Sequence, residues 1–189
     1  MRLAALCVLL LSLCGCSAWV GPAFYSRNEA VNPFTPGRYR VRSEIGDRKE
    51  MTVRWDGRHL NEEGGKRENM DSDLRNMLAV PLPAPGRDLF IVQAKMDGRE
   101  DMALYGVLER NGNRYQVDMP DCAKSRAIAQ AAGATIESPE VAPGSAEDPN
   151  RQSSNAMCIF PDRTSLENAL RRYAAERPLS GALIERVGD

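Results

Sequence analysis

Beyond residue 36 the chain alternates apolar and polar positions with a period of two, broken by turn residues. This is the pattern of strands that bury one face. Gly37 to Trp55 reads as a hairpin around Gly46-Asp47-Arg48. A three-residue loop there sets Tyr39 opposite Trp55 and Val41 opposite Val53, and also Arg40 opposite Arg54 and Glu44 opposite Glu50. Like charges directly across a ladder are unfavourable. Either a neighbouring strand supplies counter-charge or the pairing differs. Asp56-Gly57 marks another turn before a short strand near Arg58–Asn61, and Glu62 to Asp73 is a polar loop. Apolar residues resume over Leu74 to Pro83. Leu89 to Met96 is the most continuously apolar stretch after the leader and predicts a central strand buried on both sides at its start. Ala103–Arg110 and Asn113–Met119 flank Asn111-Gly112, a strong hairpin signal. A two-residue loop there pairs Glu109 with Arg114, Leu108 with Tyr115 and Gly106 with Val117.

Two stretches switch to helical spacing. Cys122 to Ala132 predicts a short helix stopped by Gly133. Thr164-Ser165-Leu166-Glu167 has the form of a capping box, and Leu166, Leu170 and Tyr173 follow on one stripe until Pro178 ends it. Ala156–Phe160 and Gly181–Val187 read as further strands. The predicted fold is α+β: a mostly antiparallel sheet of about seven or eight strands with a helix near the C-terminus packed on it. A small curled β-barrel is the alternative.

The start of the chain differs in kind. Arg2 precedes the uncharged apolar run Leu3–Leu13, and small residues follow at Gly15, Ser17 and Ala18, the layout of a secretory signal peptide. The run is too short to span a bilayer, which takes about 20 apolar residues. Leu13-Cys14-Gly15-Cys16 resembles the lipobox of bacterial lipoproteins, with an aliphatic residue at −3 and a small residue at −1 of Cys16. Cys14 in the −2 slot is a mild departure from that pattern. The resemblance covers the leader only. It implies that Cys16 receives a diacylglycerol thioether, that the leader 1–15 is cut away, and that the new amino group is acylated. Ser17, a non-acidic residue after the cysteine, implies an outer-membrane address facing the periplasm. Cleavage after Ala18 at a loose A-x-A site is the alternative.

On that reading Cys7 and Cys14 leave with the leader and Cys16 carries lipid, so Cys122 and Cys158 remain of the five cysteines. A disulfide between them is the expectation in an oxidising compartment. It closes a loop of about 36 residues, for which chain-entropy arithmetic gives about 4 kcal/mol. A reactive thiol at Cys122, beside a helix N-terminus, is the alternative. Within the loop, residues 138–155 are rich in Pro, Ser, Gly and Asn and read as a flexible insert. Residues 16–36 show no period, contain Pro22, Pro33 and Pro36, and read as a tether from the lipid. Trp19, Phe24 and Tyr25 then lie either at the headgroup level or against the domain. Residues 37–189 form the single β-rich domain.

Composition narrows the functional classes. The 189 residues include 42% hydrophobic and 27% charged residues, with a net charge of −1. That balance favours no nucleic-acid partner. Aromatics at 6% argue against a wide stacking platform. No phosphate-cradling glycine loop, nucleophile elbow or zinc-protease motif occurs in the sequence. His59 is the only histidine and follows a turn, the position of a surface residue. Asp71-Ser72-Asp73 with Glu62 and Glu63 lacks the ligand pattern of a calcium loop. Arg38, Arg40, Arg42 and Arg54 fall on the outer face of the first hairpin as candidates for contact with an anionic lipid surface, or else as a solvated strand face. No catalytic residue, metal ligand or cofactor site is assigned. The expectation is a non-catalytic lipoprotein of the envelope that binds or scaffolds an envelope protein. The alternatives are a carrier of an apolar ligand in a sheet cavity, and an envelope hydrolase or thiol enzyme.

Overall fold

The computed structural model describes residues 17–43, 50–55, 60–62, 77–96, 99–137 and 156–188. The leader, Cys16, the turn at Gly46-Asp47-Arg48, His59, the acidic loop and the insert 138–155 lie outside these residues. Eleven strands form one sheet: β1 (Ala18–Pro22), β2 (Gly37–Ser43), β3 (Glu50–Trp55), β4 (Leu60–Glu62), β5 (Met77–Ala84), β6 (Arg87–Met96), β7 (Arg99–Asn111), β8 (Arg114–Asp118), β9 (Thr135–Glu137), β10 (Met157–Ile159) and β11 (Ala182–Gly188). Among the described residues two helices accompany them, α1 (Cys122–Ala131) and α2 (Arg163–Glu176). The class is α+β, mainly antiparallel. Among the described strands only β1 and β10 pair in parallel. The sheet is not closed into a barrel.

The long strand β7 organises the sheet. Its whole length pairs with β6 on one edge, and β5 lies beyond. Its other edge is shared end to end. Met102–Leu104 pair with β1, and Val107–Asn111 pair with β8. The sheet therefore forks at Gly106. One wing continues β1-β10-β9, and the other continues β8-β11-β2-β3-β4. The fork leaves no room for side chains. A Cβ on Gly106 would stand 2.3 Å from Met119 Sδ and 2.7 Å from Asp118 O, and one on Gly181 would stand 2.1 Å from Val117 O.

Each face of the sheet has its own core. Val80, Leu82, Leu89, Ile91, Tyr105 and Val107 turn to the helices and meet Ile128, Leu166, Leu170 and Tyr173. On the other face Tyr39, Phe90, Val92, Leu108 and Tyr115 cluster, with Phe34 from the loop after β1 packed on Tyr39 and Tyr115. The buried start of β6 thus serves both cores, which accounts for its unbroken apolar run.

Four readings of the sequence need correction. The segment read as a tether opens with a core strand: Trp19 and Val20 are fully buried and Tyr25 nearly so, with Phe24 packed against the same cluster. Five residues ending in Gly-Pro are too short to display a period. Both hairpins are shifted by two residues. β2 and β3 pair Tyr39 with Val53, Arg40 with Thr52 and Arg42 with Glu50. This removes two of the like-charge oppositions and sets Arg38 opposite Arg54. β7 and β8 pair Glu109 with Gln116 and Leu108 with Val117, so the turn is Gly112-Asn113. Gly112 has φ 60° and no other residue type in the described chain has positive φ, as a hairpin turn with glycine in the first central position requires. Finally, α2 is capped by Asp162, which accepts from Ser165 N at 2.9 Å, two residues ahead of the box read at Thr164.

The outer edge of β5 is closed chemically. Val31 N donates to Ala79 O at 2.8 Å, which fixes the outward backbone groups at Met77, Ala79, Pro81 and Pro83. The two prolines stand where outward N–H donors would be and have none to offer.

Candidate functional site

Two open clefts stand out on the described surface. One, of about 480 Å³, lies between the end of α1 and the start of α2. Its walls include Ala131, Ala132, Gly133, Ser165 and Asn168. Its charged members are engaged, Asp162 in the helix cap and Arg172 with Glu176 at 2.6 Å. The other, of about 470 Å³, runs along the proline-bearing hairpin from Pro81 to Leu89. Neither gathers an acid, a base and a nucleophile. Among the described residues no group of three or more His, Cys, Asp or Glu side chains is placed to hold a metal ion.

The chemistry of the interior is structural. Cys122 and Cys158 form a disulfide, with Cα atoms 5.4 Å apart and both residues fully buried. The thiol alternative for Cys122 is thereby replaced by a bond joining the first turn of α1 to β10. Gln93, almost fully buried, acts as a strand neighbour for Tyr25. Its Nε2 donates to Tyr25 O and its Oε1 accepts from Tyr25 N, each at 3.0 Å. Tyr105 Oη accepts from Phe24 N at 3.0 Å and lies within hydrogen-bond reach of Pro22 O and Gln93 Oε1. Burial pushes the Tyr105 hydroxyl up to about 12. Burial, and next the Asp118 carboxylate, raise Tyr173, whose hydroxyl donates to Asp118 Oδ2 at 2.9 Å. Burial and then Glu167 raise Tyr25.

The most connected polar site is the fork, where the chain enters the fold. Ser17 Oγ donates to Ala156 O at 3.0 Å and accepts from Ala123 N at 2.7 Å. Ala18 N donates to Ala156 O at 3.2 Å. Asp121 caps α1 and accepts from Ala123 N at 2.8 Å. Trp19 Nε1 donates to Ser125 Oγ at 2.9 Å, and the indole packs on Phe160 and Tyr173. Ser125 in turn donates to Asp121 O and has non-helical φ and ψ inside α1, the bend expected when a hydroxyl bonds back to the preceding turn. Sequence reasoning missed this site. Its one available signal was Trp19, a large ring three residues past Cys16.

The arginines fall elsewhere. Arg38, Arg40 and Arg42 alternate with the buried Tyr39 and half-buried Val41, on the side of the sheet shared with the helices. Glu185 of β11 stands opposite Arg40 in register and makes ion pairs with Arg42 at 3.8 Å and Arg114 at 2.9 Å. β11 thus supplies counter-charge. Arg54 is described by its backbone position opposite Arg38. The structure keeps the arginines of β2 in one row but does not bring them to the fork.

No helix among the described residues is long and apolar enough to cross a membrane. No family model, curated protein or solved structure matches the chain.

Proposed function

We propose that this protein is a cell-envelope lipoprotein, held by acyl chains on Cys16, whose open sheet works as a non-catalytic module that binds or scaffolds an envelope protein. The observation that carries the reading is the Cys122–Cys158 bond. A fully buried disulfide belongs to an exported protein, and it leaves Cys16 as the unmatched cysteine once the leader is removed. The fork adds support. Cleavage after Ala18 would cut inside β1 and strip away Ser17 with both its hydrogen bonds, whereas cleavage before Cys16 leaves the strand whole. Ser17 supports an outer-membrane address facing the periplasm. Strand addition at a sheet edge is the mode of partner binding the architecture favours, at an edge other than that of β5.

Intact-mass measurement of protein purified from its host tests the anchor. The expected mature chain begins at Cys16 and carries acyl mass, which Cys16→Ser abolishes. A chain beginning at Trp19 without fatty mass overturns it. Affinity capture from detergent-solubilised envelopes tests the binding role. A stoichiometric protein partner is expected. Recovery of a small molecule and no protein overturns that part of the reading.

A further inference from the structure

Alternation along the strands gathers arginine on one face of the wing β8-β11-β2-β3. Tyr39 and Val41 turn to the apolar cluster with Tyr115, Val117 and Ile184, so Arg38, Arg40 and Arg42 take the opposite face. The register carries that face across the ladder. Arg114 of β8, Glu185 of β11 and Arg40 of β2 lie in one row, and Gln116, Leu183 and Arg42 form the row beside it. On β3, Glu50 and Arg54 are placed opposite Arg42 and Arg38 by backbone register and offset each other in charge. That leaves Arg38, Arg40, Arg42 and Arg114 against Glu185. On β7, the next strand, Glu109 is held by Arg87. The face is open to solvent: the side chains of Arg42 and Arg114 are 50% and 74% exposed, and Arg38 is exposed as well.

This face shows within its own structure what it holds. The Glu185 carboxylate bridges Arg114, at 2.9 Å, and Arg42, at 3.8 Å, with Arg40 beside it in register. Each of these cations is an arginine, whose planar fork suits a carboxylate better than the point charge of lysine. The spacing is regular too. Arg38, Arg40 and Arg42 recur at every second residue, about 6.7 Å apart along β2, and alternate side chains of any other extended chain repeat at the same distance.

We infer that this face docks an extended acidic segment of a partner protein, whose carboxylates, on every second residue, engage the arginines of β2 and Arg114 as Glu185 does. The inference rests on the binding role proposed above and names the partner's chemistry there. Strand pairing uses an edge of the sheet, and this contact uses a face.

Fluorescence anisotropy of labelled peptides with the full-length protein, purified in detergent, tests this. A peptide of alternating glutamate and threonine is expected to bind about tenfold more tightly than its glutamine–threonine counterpart. Arg42→Gln with Arg114→Gln is expected to weaken that binding by about tenfold, with the urea midpoint as the check on folding. Glu185→Gln is expected to tighten it several-fold, because it removes the resident carboxylate. Equal affinity for the two peptides overturns the docking face, as does wild-type affinity in these variants. A protein that ignores the peptide and takes up water-soluble dihexanoyl phosphatidylglycerol instead overturns it in favour of anionic lipid. In affinity capture, a stoichiometric partner retained equally by wild type and by Arg42→Gln with Arg114→Gln overturns the face and leaves the binding role standing, whereas recovery of no protein overturns the binding role itself.

Discussion

Trp19 shows how one side chain constrains its surroundings. A fully buried indole must find an acceptor for its N–H, and it takes Ser125, in the middle of α1. The helix bends there because the same hydroxyl also bonds to Asp121 O. Ser125→Ala leaves the indole N–H unsatisfied and is expected to cost about 1–3 kcal/mol in urea denaturation. Combining it with Trp19→Phe should show clear non-additivity, since the second change then removes a donor that has already lost its partner. The buried tyrosines make a second prediction. Tyr105 is raised to about 12 from the ordinary 10, and Tyr25 and Tyr173 are raised as well. A group whose folded pKa lies above its unfolded value contributes full stability below the unfolded pKa and loses it as pH rises toward the folded one. The tyrosine contribution should therefore be constant below about pH 9 and fall through the window above 10. Phenolate absorbance should rise together with unfolding, and free titration of all the tyrosines near 10 in the folded protein would contradict it.

At the scale of elements, the fork rests on two glycines of unequal tolerance. The Cβ of Gly106→Ala would meet first the end of a flexible methionine, although Asp118 O lies close behind, whereas that of Gly181→Ala would meet backbone at Val117 O and Asp118 Cα. Gly181→Ala should be the costlier change, in the range of about 1–3 kcal/mol for overpacking, with Gly106→Ala below it in the same denaturation series. The elements themselves were largely legible. The helix over Cys122–Ala131, the buried stripe of α2, the apolar run of β6 and the last strand stand where periodicity predicts them. The registers were not, for a physical reason. Side chains alternate with a period of two, so a slip of two residues keeps every side chain on its face and escapes detection by pattern. In both hairpins the slip was of that size. What selects the true register is tertiary: β11 lies between β2 and β8, and Glu185 answers arginines on both. Glu109, expected opposite Arg114, instead holds Arg87 with two bonds of 2.6 and 2.7 Å. β1 and β9, of five and three residues, are too short to carry a period, and they join the sheet through partners distant in sequence.

At the scale of the molecule, the fold includes Ser17 and β1 rather than beginning at Gly37. β1 holds β7 to β10 and delivers Trp19 to the helix-facing core. Removing Ser17–Pro22 should abolish cooperative unfolding, read as loss of a sigmoidal denaturation curve. A chain lacking them that still unfolds cooperatively would restore the tether. The candidate site was legible in part: Cys122 and Cys158 follow from parity, whereas the fork depends on contacts between residues more than a hundred positions apart. Replacing both cysteines by serine should cost up to about 4 kcal/mol, as expected for a loop of this length, visible as a lower midpoint in urea. The same bond decides what a protease can achieve. Its half-cystines stand on either side of residues 138–155. A single nick there severs the polypeptide and releases nothing: the two pieces travel as one on a gel until a reductant is added, and α2 with β11 stays covalently attached to the part that begins with β1.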